Sequence, residues 1–179
     1  MVSFAGKKRL FGEEALAQAS SESTIALVNL LVGRSYEELQ SLSTLSGRKL
    51  NFSKDDAGRV FVDITFRDET ERFPLSGILG MFLSHVSGPI NDVAHPEATY
   101  CFALPPNYSK ALEQSYREAC AVAGITASRV FIADGADCLV AAYARKVAGL
   151  GGPDKTNLQG KKVLLLDMGH AQTTAVVVQ

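Results

Sequence analysis

The sequence contains no tryptophan and, in 179 residues, only three cysteines and three histidines. Cys101, Cys120 and Cys138 are odd in number and too widely spaced for paired metal ligands. That excludes a zinc ribbon and a dense disulfide framework, and three reduced thiols in apolar settings is the expectation. No apolar run approaches the roughly 20 residues that a membrane helix needs. The opening stretch, MVSFAGKKRLFGEE, lacks the apolar core of a signal peptide. Net charge is −1, so no excess of either sign favours nucleic acid or an anionic membrane surface. These absences together point to a cytoplasmic protein.

What is present is a soluble globular composition, 46% hydrophobic and 21% charged, in a length that can bury one core or a core with an appendage. FGEEALAQAS and STIALVNLLVG read as short helices, the second starting near Ser23 and stopping at Gly33; SYEELQSL adds a further turn or two. RVFVDITFRDETERFPL alternates, with Val60, Val62, Ile64 and Phe66 on one face and Asp63, Thr65 and Arg67 on the other. That period of two, flanked by turn residues, predicts a three-stranded antiparallel meander over about residues 49–74.

After Pro74 the pattern changes. LSGILGMFLSHV predicts a helix with Ile78, Phe82 and Val86 along one side. EATYCFAL is an apolar strand that ends at Pro105-Pro106. SKALEQSYREACAVAGI predicts a helix capped by Ser109, striped by Leu112, Tyr116, Ala119 and Ala123, and ended by Gly124. SRVFIA is a short strand, DCLVAAYARKVAGL a helix expected to be heavily buried, and GGPDKTNLQGKK a polar loop. The last segment, VLLLDMGHAQTTAVVVQ, is strand, tight Asp-x-Gly turn and strand. From Glu97 onward the order strand, helix, strand, helix, strand, strand implies an α/β layer with a mixed sheet.

A strand that ends in Asp and turns at once through Gly brings a carboxylate and several backbone N–H groups to one point. Asp167 there suits a divalent cation held through water, and Gly169 lets the backbone approach a phosphate closely. The N–H groups of His170 and Ala171, with Gln172, Thr173 and Thr174 as neighbours, complete a candidate anion site. On the hairpin alone the plainer reading is favoured, because most such turns only reverse the chain. No second His or Cys stands near His170 to make a zinc site.

The segment order is more specific. RLFGEEALAQA, STIALVNLLVGRSYEE, ALPPNYSKALEQSYREACAVAGI, RVFIADGADCLVAAYA and VLLLDMGHAQTTAVVV in succession resemble the ATPase domain of the seventy-kilodalton heat-shock chaperone superfamily, a branch of the actin-like fold. The turn Asp167-Met168-Gly169-His170 resembles the divergent hundred-and-ten-kilodalton branch most. The resemblance implies an α/β fold, a partial actin-like (ribonuclease-H-like) lobe with a mixed sheet and flanking helices, plus a small α+β outer subdomain. It places the outer subdomain of lobe I at residues 1–73, its base at 74–160, and the opening phosphate-loop hairpin of lobe II at 161–179. On that mapping the family's first Asp-x-Gly hairpin lies before this chain and the adenosine pocket after it.

The implied function is that of an ATP-binding domain fragment of a chaperone or co-chaperone in protein folding and the stress response. ATP or ADP with magnesium would serve as cofactor, held by Asp167, Gly169, His170, Ala171 and Gln172, with Asp167 touching the metal through water. Unfolded clients and partner chaperones would be the partners; no nucleic acid or membrane is expected. The family's catalytic lysine falls on Asn29 and its acidic residue on Gly135, which implies poor hydrolysis or none in a longer parent and an inactive fragment here. Asp134 is the nearest acid that can substitute; otherwise Asp134 or Asp137 caps the following helix. Two other classes stay open: a non-catalytic interaction module or nucleotide-exchange partner of another chaperone, and a sugar kinase of the same fold. The hairpin 163–178 is expected to pair with the strand around residues 99–104, within the chain or in a hairpin-swapped dimer.

Overall fold

The computed structural model describes residues 1–5, 8–18, 22–42, 50–66, 69–91, 97–149, 162–169 and 172–178. These divide into two compact units, one of residues 1–99 with 109–130, the other of residues 100–108 with 131–179.

The first unit opens with a small antiparallel sheet in which β1 (Val2–Ser3) lies between β2 (Leu10–Phe11) and β3 (Thr24–Ile25). A five-residue helix, α1 (Gly12–Leu16), follows β2 directly. The stretch from Ser23, predicted as continuous helix, is instead β3 followed by the four-residue α2 (Val28–Leu31). Pairing with β1 decides this. β-Branched Thr24 and Ile25 are fully buried against it, and the Thr24 hydroxyl donates to the Gln18 carbonyl and lies 2.7 Å from Ser3 Oγ. Gly33, just past α2, has φ 74°, as expected of a helix-ending glycine. α3 (Tyr36–Ser41) is started by a capping box: Ser35 Oγ accepts from Glu38 N–H, and the Glu38 carboxylate accepts from Ser35 N–H.

The meander is present as β4 (Asn51–Lys54), β5 (Val60–Phe66) and β6 (Glu69–Pro74), antiparallel throughout. Its register sets Phe52, Val62 and Phe73 side by side across three strands. Val62 and Ile64 are buried while Asp63 turns outward and accepts from Ser53 Oγ. α4 (Leu75–Asn91) and α5 (Lys110–Val122) then cross closely: a Cβ on Gly80 would lie 2.6 Å from Val122 Cβ. Ser109 Oγ accepts from Leu112 N–H and caps α5; Gly124, at φ 76°, follows its end. Leu112, Tyr116 and Ala119 pack on one core with Leu31, Leu39, Ile64 and Ile78. Each large apolar side chain fully buried there contributes about 1.5–3 kcal/mol. Of the expected stripe on α4, Ile78 is buried, Phe82 packs against the core and Val86 is exposed.

The second unit contains β7 (Tyr100–Leu104), paired with β8 (Val130–Asp134), then α6 (Gly135–Gly149) and the hairpin of β9 (Val163–Met168) and β10 (Thr173–Val178). The expected strand and helix order is therefore present, in an α/β arrangement of several small sheets. Two expectations fail here. Among the described residues β9 pairs with β10 and not with β7, so the anticipated return onto the 99–104 strand is not formed within the chain. No described side chain of α6 is fully buried, because two two-stranded sheets offer too little surface to cover it. The cysteines differ likewise: Cys120 is buried, Cys138 half-buried and Cys101 exposed, all as free thiols.

Candidate functional site

The second unit holds a cleft of about 290 Å³. One wall is the end of β7 with the turn after it and the start of α6: Leu104, Pro105, Pro106, Gly135, Cys138 and Leu139. The hairpin supplies Asp167, Gln172 and Thr174.

Pro105-Pro106 ends β7, since neither residue has an N–H for the ladder. Asn107 then turns the chain at φ 57°, a left-handed conformation that asparagine tolerates better than most residues. Its N–H donates to Asp134 Oδ2 at 3.1 Å, while Asp134 Oδ1 accepts from Ala136 N–H at 2.7 Å. Asp134 is thus the cap of α6, and both its oxygens are used by backbone. Asp137, in the first turn, is exposed. At Gly135 the two chain segments nearly touch: a Cβ there would lie 2.6 Å from the Leu104 carbonyl oxygen.

Across the cleft, the hairpin register pairs Asp167 with Thr174 and Leu165 with Val176. Side chains alternate along a strand, so Asp167 and Thr174 share the face that carries buried Leu165. Gly169 N–H donates to the Gln172 carbonyl at 2.9 Å and closes the turn. A Cβ on Gly169 would lie 3.2 Å from that oxygen, so the glycine serves the turn itself. Because its N–H is already bonded, Gly169 contributes close approach and no donor. His170 and Ala171 lie outside the described residues.

The cleft therefore gathers Gly135, Asp167 and Gln172, with Asp134 next to Gly135 in sequence and Gly169 two residues after Asp167. Asn29 is an exposed residue of α2 and belongs to the other unit. The lining residues Pro105, Pro106, Cys138 and Leu139 were not singled out from sequence. Cys138 and Leu139 stand three and four residues after Gly135, the helical spacing that repeats one face, and that spacing was the available signal.

Among the described residues no cluster of three His, Cys, Asp or Glu side chains forms a metal cage. The donors that do line the cleft, the Asp167 carboxylate, Gln172 amide and Thr174 hydroxyl, offer hard oxygens. Magnesium suits such a site, because it keeps several waters and takes one or two carboxylates plus phosphate oxygens. Among the described residues no basic side chain lines the cleft, so a cation bound with a phosphate chain would supply positive charge there.

The family model for Hsp70 protein matches residues 1–179. Heat shock 70 kDa protein 16 of Arabidopsis thaliana is 26% identical over 185 residues, an overlap covering 99% of this chain and 23% of that protein. The chain thus spans less than a quarter of that relative's length.

Proposed function

Since this chain belongs to the Hsp70 protein family, we propose that it is part of the nucleotide-binding domain of a heat-shock-type chaperone or co-chaperone. The observation that carries the site assignment is the cleft that sets Asp167, Gln172 and Thr174 opposite the Leu104–Gly135 wall. In this reading Asp167 holds magnesium through water, Gln172 and Thr174 hydrogen-bond phosphate oxygens, and Gly169 keeps the turn narrow enough for the anion to come close. Magnesium supplies positive charge that the described lining lacks.

Hydrolysis is weak or absent in this proposal. Asn29 brings an amide where the resemblance places a lysine, and position 135 has no side chain. Both oxygens of Asp134 accept from backbone N–H groups, which leaves that carboxylate a poor candidate for a general base. Nucleotide would act by shifting a conformational equilibrium that a longer chain relays to client proteins or partner chaperones. Cytoplasmic residence is part of the same proposal, supported by three free thiols. The assignment to the hundred-and-ten-kilodalton branch rests on the Asp167-Met168-Gly169-His170 turn.

Equilibrium binding of labelled ATP to the longest natural form of the protein tests the reading. Binding should require magnesium and be lost in Asp167→Ala. Affinity unchanged by chelation of the metal, or by that substitution, overturns it.

A further inference from the structure

Gly135, on which the resemblance places the family's acidic position, and its neighbour Asp134, the possible substitute, are engaged in something else. The Leu104 carbonyl oxygen lies 2.6 Å from where a Gly135 Cβ would stand, an approach that any side chain would prevent. Asp134 spans the same junction with one oxygen on each side: Oδ2 on Asn107 N–H and Oδ1 on Ala136 N–H. The turn from Leu104 to Asn107 is thereby fastened to the first turn of α6 twice, once by close packing and once by a bridging carboxylate. That turn and that helix form one wall of the cleft.

We propose that Asp134 and Gly135 act as a latch: they are positioning residues that fix the Leu104–Asn107 wall against α6 and so set the width of the cleft. The latch rests on the Proposed function only in regarding this cleft as the binding site. A Cβ at position 135 pushes the Leu104 carbonyl outward by several tenths of an ångström at least, which stretches the Asn107–Asp134 bond. Loss of the Asp134 carboxylate frees the same wall from the other side. The two changes therefore act on one element, and their effects should not add.

Cys138 provides a probe within the wall itself. It lines the cleft, Cys120 is buried, and burial pushes the Cys120 thiol pKa up, so Cys120 stays unreactive. Cys101 is exposed and is removed as Cys101→Ser. In that background, alkylation of Cys138 by a small maleimide under native conditions should be about 3–10 times faster in Gly135→Ala and in Asp134→Ala, and no faster in the double variant. Asp134→Ser separates the two roles: its hydroxyl can still cap Ala136 N–H but is too short to bridge to Asn107. It should keep near-native stability and still label fast. Ile64→Val, in the other unit, should lower stability and leave the Cys138 rate unchanged. Wild-type labelling rates in Gly135→Ala and Asp134→Ala, additive effects in the double variant, or a native rate in Asp134→Ser would each overturn the latch. Protection of Cys138 by magnesium-ATP is a separate measurement: its absence counts against the nucleotide site and leaves the latch standing.

Discussion

Gly33 and Leu112 approach so closely that no side chain fits between them: a Cβ on Gly33 would lie 2.5 Å from the Leu112 Cα. The contact is with backbone, so rotamer changes cannot relieve it. Gly33 also has φ 74°, where any β-carbon is strained. Gly33→Ala should therefore lose stability on both counts, about 1–2 kcal/mol for the left-handed backbone and about 1–3 kcal/mol for overpacking. A urea transition with a lower midpoint and an unchanged slope would register this.

Asn107 offers a complementary test. Its backbone N–H, not its side chain, bonds Asp134, and its φ is 57°. Asn107→Gly keeps both and should change stability by less than about 0.5 kcal/mol, whereas Asn107→Ala should cost about 1 kcal/mol through strain alone. Equal losses in the two variants would show that the asparagine side chain holds the turn.

Ser35 tests a local device. Its hydroxyl and the Glu38 carboxylate satisfy each other's backbone N–H groups at the start of α3. Ser35→Ala should lower stability by about 1 kcal/mol in chemical denaturation. Lys54 sits 3.4 Å from Glu37 and 5.0 Å from the Tyr36 ring centre, so α3 remains tied to β4 and the loss should stay local.

The meander and α5 were legible in the sequence because their information is local. Val60, Val62 and Ile64 declare a strand by alternation, and Ser109 and Gly124 mark the ends of a helix. The sheet of β1, β2 and β3 was not legible. Val2–Ser3 and Thr24–Ile25 are two-residue strands, too short for any periodicity, and they exist only because they pair across the intervening chain from residue 4 to residue 23. In the site, Asp167 and Gly169 could be read from the Asp-x-Gly turn. The Pro105-Pro106 wall and Cys138 could not, because nothing in the local sequence says that β7 ends against the start of α6. Gly135 was singled out for an absent acid; the structure shows that its missing side chain leaves room for the Leu104 carbonyl.

Asn29 carries the prediction for hydrolysis. It is exposed on α2, so a lysine can be placed there without repacking. One well-placed electrostatic group typically changes a rate by about 10²–10³. In the longest natural form of the protein, Asn29→Lys should raise single-turnover hydrolysis of labelled ATP, while this chain itself should show no steady turnover. An unchanged rate would place the limiting defect at Gly135 or show that position 29 is not the family's lysine position.

Among the described residues, exposed large apolar side chains gather on the hairpin. Leu164, Leu166 and Met168 of β9 are 58%, 55% and 78% exposed, and Val177 of β10 is 66% exposed. Register explains why: Leu164 pairs with Val177, Leu166 with Ala175 and Met168 with Thr173, so all six lie on one face, opposite Leu165, Val176 and Asp167. None of those six residues is charged, and a two-stranded sheet also leaves two open edges for further pairing. Burying one leucine contributes about 1.5–3 kcal/mol, so covering two or three from each of two molecules should support association at high concentration. Sedimentation velocity of this chain should show an average mass that rises with concentration. Leu166→Lys puts a charge at the centre of the face and should restore the monomer while leaving the β9–β10 register intact. A hairpin-swapped dimer would behave differently, because exchange of whole hairpins keeps position 166 on its outward face and so survives Leu166→Lys. Loss of association in the variant therefore assigns it to the apolar face, and its persistence assigns it to strand exchange.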